Sequence, residues 1–229
     1  AKAPEKGKPL VVVGFSEVWQ TLKEIKNLRY TLAFLVAYLF YNDGIQTVIL
    51  NSSIFLSQEL FAPEERAGNQ SFLLGIFLVA QISAVVGSLI FERLARVIGA
   101  KNTILVCLFV WCGIVLYAYG FLATVTHAWI MSVFIGSVLG SVQALSRSLF
   151  SQMIPRGRES SFFGLYEISE KGTSWLGNLV FGIVVASTGS YRQAILAIIV
   201  FFIVGSLILL FTNTTQAIHE AGNLTPEEA

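Results

Sequence analysis

Apolar residues along this chain fall into six runs, at 30–57, 70–91, 102–122, 128–150, 161–187 and 191–211, separated by short polar stretches. At a rise of 1.5 Å per residue, each run is long enough to cross a hydrocarbon core of roughly 30 Å as a helix. Strands of a membrane barrel would alternate apolar and polar positions over about ten residues. These runs are instead continuously apolar. The pattern predicts an all-α membrane protein with six transmembrane helices.

Composition sharpens this reading. Of 229 residues, 55% are hydrophobic and only 13% charged, and the mean hydropathy is +0.70. A soluble domain carries about a quarter charged residues, so that class is excluded. The net charge of +1 is uninformative, but the placement of the 15 Lys and Arg residues is not. Lys2, Lys6, Lys8, Lys23, Lys26 and Arg29 precede the first run. Arg93, Arg96 and Lys101 follow the second, and Arg147, Arg156 and Arg158 lie at and beyond the end of the fourth. Only Arg66 and Arg192 fall in the alternate links, and Lys171 lies inside the fifth run. Basic residues near span ends stay in the cytosol, so both termini are expected there and loops 58–69 and 122–128 outside. The chain divides into a basic cytosolic lead-in at 1–29, a six-helix domain at 30–211 and an acidic, mobile cytosolic tail at 212–229.

Polar groups are unevenly shared. Runs one, two, four and five carry them, whereas three and six are almost wholly apolar. That distribution predicts two triplets of helices related as a 3+3 inverted repeat, the third member of each facing lipid or a partner. Leu105, Phe109, Ile198 and Phe202 are therefore expected to be more exposed than Asn42, Gln46 and Gln143.

Asp43 stands near the centre of the first run, between Asn42 and Gly44, with Gln46 nearby. A carboxylate at mid-bilayer costs roughly 2.5–3.5 kcal/mol on insertion scales, and such groups face cavities or partners and serve ions, protons or substrate. Asn-Asp-Gly is also a turn signature, predicting a locally opened helix. The plainer alternative for Asp43 is a structural cap satisfied by a neighbouring span.

In the fifth run Glu167, Lys171, Ser174 and Asn178 step by four, three and four, forming a polar seam on one helix face. Glu167 precedes Lys171 in the order favourable for an ion pair, and Glu170 can compete for the same lysine. A gate or solute path and a structural ion pair are equally compatible with the seam. In the fourth run Gly136 and Gly140 share a face with Gln143 and Arg147. Small residues let another backbone approach, so close helix packing is expected there. Arg147 either snorkels to the interface or clamps an anionic group.

No enzyme is expected. His127 and His219 are isolated, and no metal spacing, nucleophile elbow or phosphate-cradling loop occurs. No cofactor, metal or nucleic-acid partner is predicted. Cys107 and Cys112, five residues apart in one run, read as free thiols.

Two stretches carry a resemblance: YNDGIQTVI at 41–49 and GSVQALSRSLFSQMIPRGRESSFFGLYEISEKGTSWLGNLVFG at 140–182. They resemble the major facilitator transporters of the vacuolar amino-acid effluxer family and its bacterial relatives. The family has twelve spans, and this chain looks like its C-terminal six-span half with the basic central loop. Segment 92–101 reads ERLARVIGAK where major facilitators often carry a Gly-x-Leu-Ala-Asp-Arg-x-Gly-Arg-Lys-like gating loop. Glu92 takes the glycine position and Arg96 the aspartate position, beside Arg93 and Lys101, and Glu92 is placed to pair with Arg96 one turn on.

The resemblance implies a secondary transporter that moves a small polar solute, amino acids among the candidates, by proton-coupled alternating access in concert with an N-terminal six-span half. It implies a bilayer setting, a bacterial cytoplasmic membrane ahead of a vacuolar one. Asp43, Asn42, Gln46, Gln143, Arg147, Glu167, Glu170, Lys171 and Asn178 would hold substrate or proton. The competing reading is a non-transporting six-span subunit docked to a larger membrane complex.

Overall fold

The computed structural model describes residues 21–172 and 175–225, so most of the lead-in, Ser174 and the last four residues lie outside the described residues. Among the described residues there are helices and turns and no strands. In chain order the helices are α1 (Arg29–Leu60), α2 (Gln70–Ile98), α3 (Ala100–Gly120), α4 (Val125–Gln152), α5 (Glu159–Gly172), α6 (Trp175–Thr188), α7 (Tyr191–Ala197), α8 (Ile199–Phe211) and α9 (Thr214–Glu220).

Five stretches are long and apolar enough to cross a membrane: α1, α2, α3, α4 and the pair α7–α8 taken as Tyr191–Phe211. The fifth predicted span is occupied by α5 and α6. Each has 14 residues, about 21 Å of helix at 1.5 Å per residue, too short to cross alone. Residues 173 and 174 between them lie outside the described set.

α1 is the central element. Of its most apolar stretch 61% is buried, against 6% for α2. α1 packs antiparallel to α8: a Cβ on Gly44 would stand 3.1 Å from Phe201 Cβ, and one on Gly205 would meet Tyr41 Cβ at 2.9 Å. α2 and α4 run parallel along a seam of small residues. A Cβ on Gly136 would stand 2.1 Å from the Ala80 carbonyl oxygen, one on Gly140 3.1 Å from that of Ala84, and one on Gly87 2.2 Å from that of Ser137. The seam expected of Gly136 and Gly140 therefore exists, with α2 as its other wall. α3 lies against α4, α7 and α8, with Trp111 stacked on Phe202 at 5.5 Å. α5 and α6 lie beside α1 and run in its direction.

Three expectations need correction. α1 passes unbroken through Asn42-Asp43-Gly44. In an apolar medium the backbone bonds of a continuous helix are worth more than a turn, and Gly44 serves close approach instead. Ile198 and Phe202 are fully buried although Phe109 is 79% exposed, so the run-six residues are less exposed than Gln46 and Gln143, which are half-buried. Apolar side chains sit equally well against lipid and protein, so polarity marks which groups must turn inward without excluding apolar ones from the interior. The tail is also partly folded: α9 packs on α1 with Ala217 and Ile218 buried.

Each end of the bundle is tied by its own set of contacts. At one end Arg158 pairs with Glu24 at 2.6 Å, Lys101 donates to the Leu210 and Thr212 carbonyls, and Asn223 donates to those of Gln152 and Ile154. At the other, Arg192 pairs with Glu59 at 2.6 Å and donates to the Tyr119 and Leu122 carbonyls, closing α1, α3 and α7 together.

Candidate functional site

The polar groups of α1 gather where α5 and α6 lie against it. Positions 38, 42, 43, 47 and 51 follow helical spacing, so Tyr38, Asn42, Asp43, Thr47 and Asn51 wind along one side of α1 over nearly four turns. Asp43, Thr47 and Asn42 are each at most 1% exposed.

Each contacts a specific partner or none. Asp43 Oδ2 accepts the Gly177 N–H at 2.7 Å, joining α1 to α6. Gly177 is required to be glycine: a Cβ there would stand 2.2 Å from Thr47 Oγ1 and 3.3 Å from Asp43 Oδ2. Asn42 Nδ2 donates to the Glu170 carbonyl at 3.2 Å, and the Tyr38 hydroxyl donates to the Glu170 carboxylate at 3.2 Å. Asn51 Nδ2 donates to Asn178 Oδ1 at 2.6 Å. Asp43 Oδ1, Asn42 Oδ1 and Thr47 Oγ1 have no hydrogen-bond partner. Buried polar atoms are ordinarily paired, because each left unpaired costs about 1–3 kcal/mol. Three such oxygens within six residues of one helix set this region apart.

Below it, toward the end carrying most of the basic residues, aromatic rings close the interface. Tyr38 stacks on Tyr166 at 4.3 Å and Tyr166 on Phe150 at 5.0 Å. Arg147 pairs with Glu167, which also pairs with Lys171 at 3.2 Å, and the Arg147 guanidinium lies 5.9 Å from the Tyr166 ring centre. Arg147 thus holds α4 to α5 in addition to reaching the surface. Glu170 also accepts the Tyr38 hydroxyl.

The structure therefore joins Asn42, Asp43, Glu170 and Asn178 in one interface, with Arg147, Glu167 and Lys171 as a charged cluster beside it. Gln46 and Gln143 are half-buried. The gating-loop residues stand apart from both. Glu92 and Arg96 pair at 2.6 Å as expected, well exposed, and Arg93 donates to the Leu89 carbonyl. Lys101 instead ties the start of α3 to the end of α8. Among the described residues no group of three His, Cys, Asp or Glu could hold a metal ion, and Cys107 and Cys112 are free.

Sequence reasoning passed over Thr47, Asn51 and Gly177. Thr47 and Asn51 were accessible through their i+4 spacing from Asp43. Gly177 acts through its backbone, which leaves no side-chain signal.

Comparison with known proteins agrees with this architecture. The family described as "Vacuole effluxer Atg22 like" matches residues 1–222. An uncharacterized MFS-type transporter, YxiO, of Bacillus subtilis is 33% identical over 202 residues, covering 88% of this chain and 45% of that protein. Autophagy-related protein 22 of Kluyveromyces lactis is 28% identical, covering 93% of this chain and 44% of its own length. Autophagy-related protein 22-2 of Emericella nidulans is 31% identical, covering 88% and 35%. The chain spans less than half the length of each of these relatives. With its apolar helices and a family match across nearly its whole length, the chain belongs to the vacuole effluxer Atg22-like family of multi-pass membrane transporters, a family of carriers and not of enzymes.

Proposed function

We propose that this chain is the C-terminal half of a secondary active transporter that moves a small polar solute, amino acids among the candidates, by proton-coupled alternating access, with Asp43 as the coupling carboxylate. The observation that carries the reading is Asp43 itself. It is fully buried at the middle of the central helix, held to α6 through one oxygen while the other has no partner. A carboxylate kept in such a place against its insertion cost of roughly 2.5–3.5 kcal/mol is expected to exchange charge with an ion or solute. Asn42, Gln46, Gln143, Glu170 and Asn178 border the path, and Arg147, Glu167 and Lys171 gate its inner end. Glu92, Arg93, Arg96 and Lys101 belong to the cytosolic loop region that steadies the halves as they rock.

Six spans are supported by the direction of α5 and α6, which run parallel to α1 over the region where a fifth crossing is required. A 3+3 inverted repeat is supported by the packing. Exchanging α1 with α4, α2 with α5–α6, and α3 with α7–α8 turns the α1–α8 contact into α4–α3 and the α2–α4 contact into α1–α6, and each of these pairs occurs. The length of the relatives supports a second six-span half, whose covering surface would include the exposed side of α2 at Leu78, Ile82 and Val85. A bacterial cytoplasmic membrane is favoured by the bacterial relative.

A second reading, a non-transporting subunit, is favoured by the Asp43–Gly177 bond, which makes Asp43 a cap of a neighbouring helix. Asp43→Asn in the full-length protein separates the two. The amide keeps shape and hydrogen-bonding capacity without charge, so the variant should insert, fold and exchange solute across proteoliposomes, yet lose accumulation driven by a pH gradient. Wild-type accumulation with unchanged pH dependence would leave Asp43 as a cap.

A further inference from the structure

We propose that Asp43 and Thr47 form a binding site for a small monovalent cation, sodium or lithium, between α1 and α6. The two residues are one helical turn apart on α1 and both are fully buried. Their oxygens converge on α6: the position a Gly177 Cβ would take lies 2.2 Å from Thr47 Oγ1 and 3.3 Å from Asp43 Oδ2. The Gly177 N–H satisfies Oδ2 at 2.7 Å. Asp43 Oδ1 and Thr47 Oγ1 have no hydrogen-bond partner, nor has the adjacent Asn42 Oδ1.

The donor chemistry selects the occupant. Carboxylate, hydroxyl and amide oxygens are hard ligands, suited to hard cations and poorly matched to the metals that favour imidazole or thiolate. One carboxylate balances one positive charge. The carboxylate of Glu170 takes the Tyr38 hydroxyl, and among the described residues no group of three His, Cys, Asp or Glu is assembled, so a divalent ion lacks the counter-charge it requires in an apolar setting. Asp43 Oδ1 and Thr47 Oγ1, one helical turn apart and both without a partner, are the oxygens left to ligate. The glycine at 177 is what lets α6 come this close to both side chains.

The inference deepens the proposed function by giving its carboxylate a second coupling ion, and it rests on that reading only for transport, because binding is measured without solute. The full-length protein in nanodiscs is heated at neutral pH in sodium, lithium or choline chloride of equal ionic strength, with unfolding followed by tryptophan fluorescence. Sodium and lithium should raise the midpoint saturably and choline should not, as linkage requires of a ligand of the folded state. Thr47→Val, which removes only a hydroxyl that makes no hydrogen bond, should raise the half-saturating sodium concentration about tenfold or more, a loss of roughly 1.4 kcal/mol. Thr47→Ser should restore it, while Gly177→Ala and Asp43→Asn should abolish the response. Equal midpoints for wild type in all three salts, or a sodium response surviving in both Thr47→Val and Asp43→Asn, overturn the proposal. A sodium shift in a protein that transports no solute upholds the site and removes the proposed function. Solute accumulation driven by protons without any sodium shift does the reverse.

Discussion

The α2–α4 seam and the α1–α5–α6 interface hold helices together by opposite means. Along the seam Gly87, Gly136 and Gly140 bring backbone against backbone, so close that an added Cβ would meet a carbonyl oxygen at 2.1–3.1 Å. Nothing there needs a polar partner. Around Asp43 the contacts are hydrogen bonds of side chains with backbone and with other side chains, and three buried oxygens have no partner. Packing in hydrocarbon is favourable wherever surfaces fit, because lipid offers no hydrophobic drive to separate or join helices. The seam is therefore the rigid part of the bundle. The polar interface, with three oxygens left unpartnered, is the part to which the proposed function assigns binding.

Six substitutions test that contrast, the most damaging first. Gly136→Leu and Gly87→Leu each push a branched side chain into the facing backbone, and should abolish recovery of folded, monodisperse protein; normal yield would show that the seam is not rigid. Gly136→Ala should destabilise by roughly 1–3 kcal/mol, as overpacking does, measured as a lower unfolding midpoint in detergent. Gly140→Ala should lose clearly less, because its methyl would stand 3.1 Å from the Ala84 carbonyl oxygen and not 2.1 Å, as that at Gly136 would from that of Ala80. Across the polar interface Asn51→Leu removes the bond to Asn178, and interhelical hydrogen bonds in membranes are worth about 0.6 and at most about 1.7 kcal/mol. A loss as large as that of Gly136→Ala would erase the distinction between the regions. Glu92→Gln breaks the exposed pair with Arg96 and should alter stability by about 0.5 kcal/mol or less. A larger effect, or one on transport alone, would give that pair a role in rocking.

Charged groups at the two ends of the bundle are paired differently from those at its middle. Glu59, Arg192 and the Tyr119 and Leu122 carbonyls form a fully paired clasp at the end of the bundle opposite the main basic cluster. Arg147, Glu167 and Lys171 do likewise on the other side of Asp43. Charged groups near the ends thus find partners, while the one ionisable group at the centre of α1 has an oxygen without one.

Local spacing was legible in the sequence. Run lengths gave five of the six expected stretches as helices long and apolar enough to cross a membrane, and i, i+4 arithmetic identified the Glu92–Arg96 and Glu167–Lys171 pairs. The small-residue face of α4 and the exceptional status of Asp43 were equally apparent, since a glycine stripe and a mid-span carboxylate are unusual whatever surrounds them. Only the tertiary structure decided which apolar faces turn inward. Ile198 and Phe202 are buried and most of α2 is exposed, a choice that side-chain polarity does not encode because lipid and protein interior are alike apolar. It decided too that Asp43 meets the Gly177 N–H, 134 residues along the chain, and that Thr47 shares its surroundings. A backbone donor has no letter in the sequence, and a glycine chosen for closeness has no partner until the opposing helix is in place.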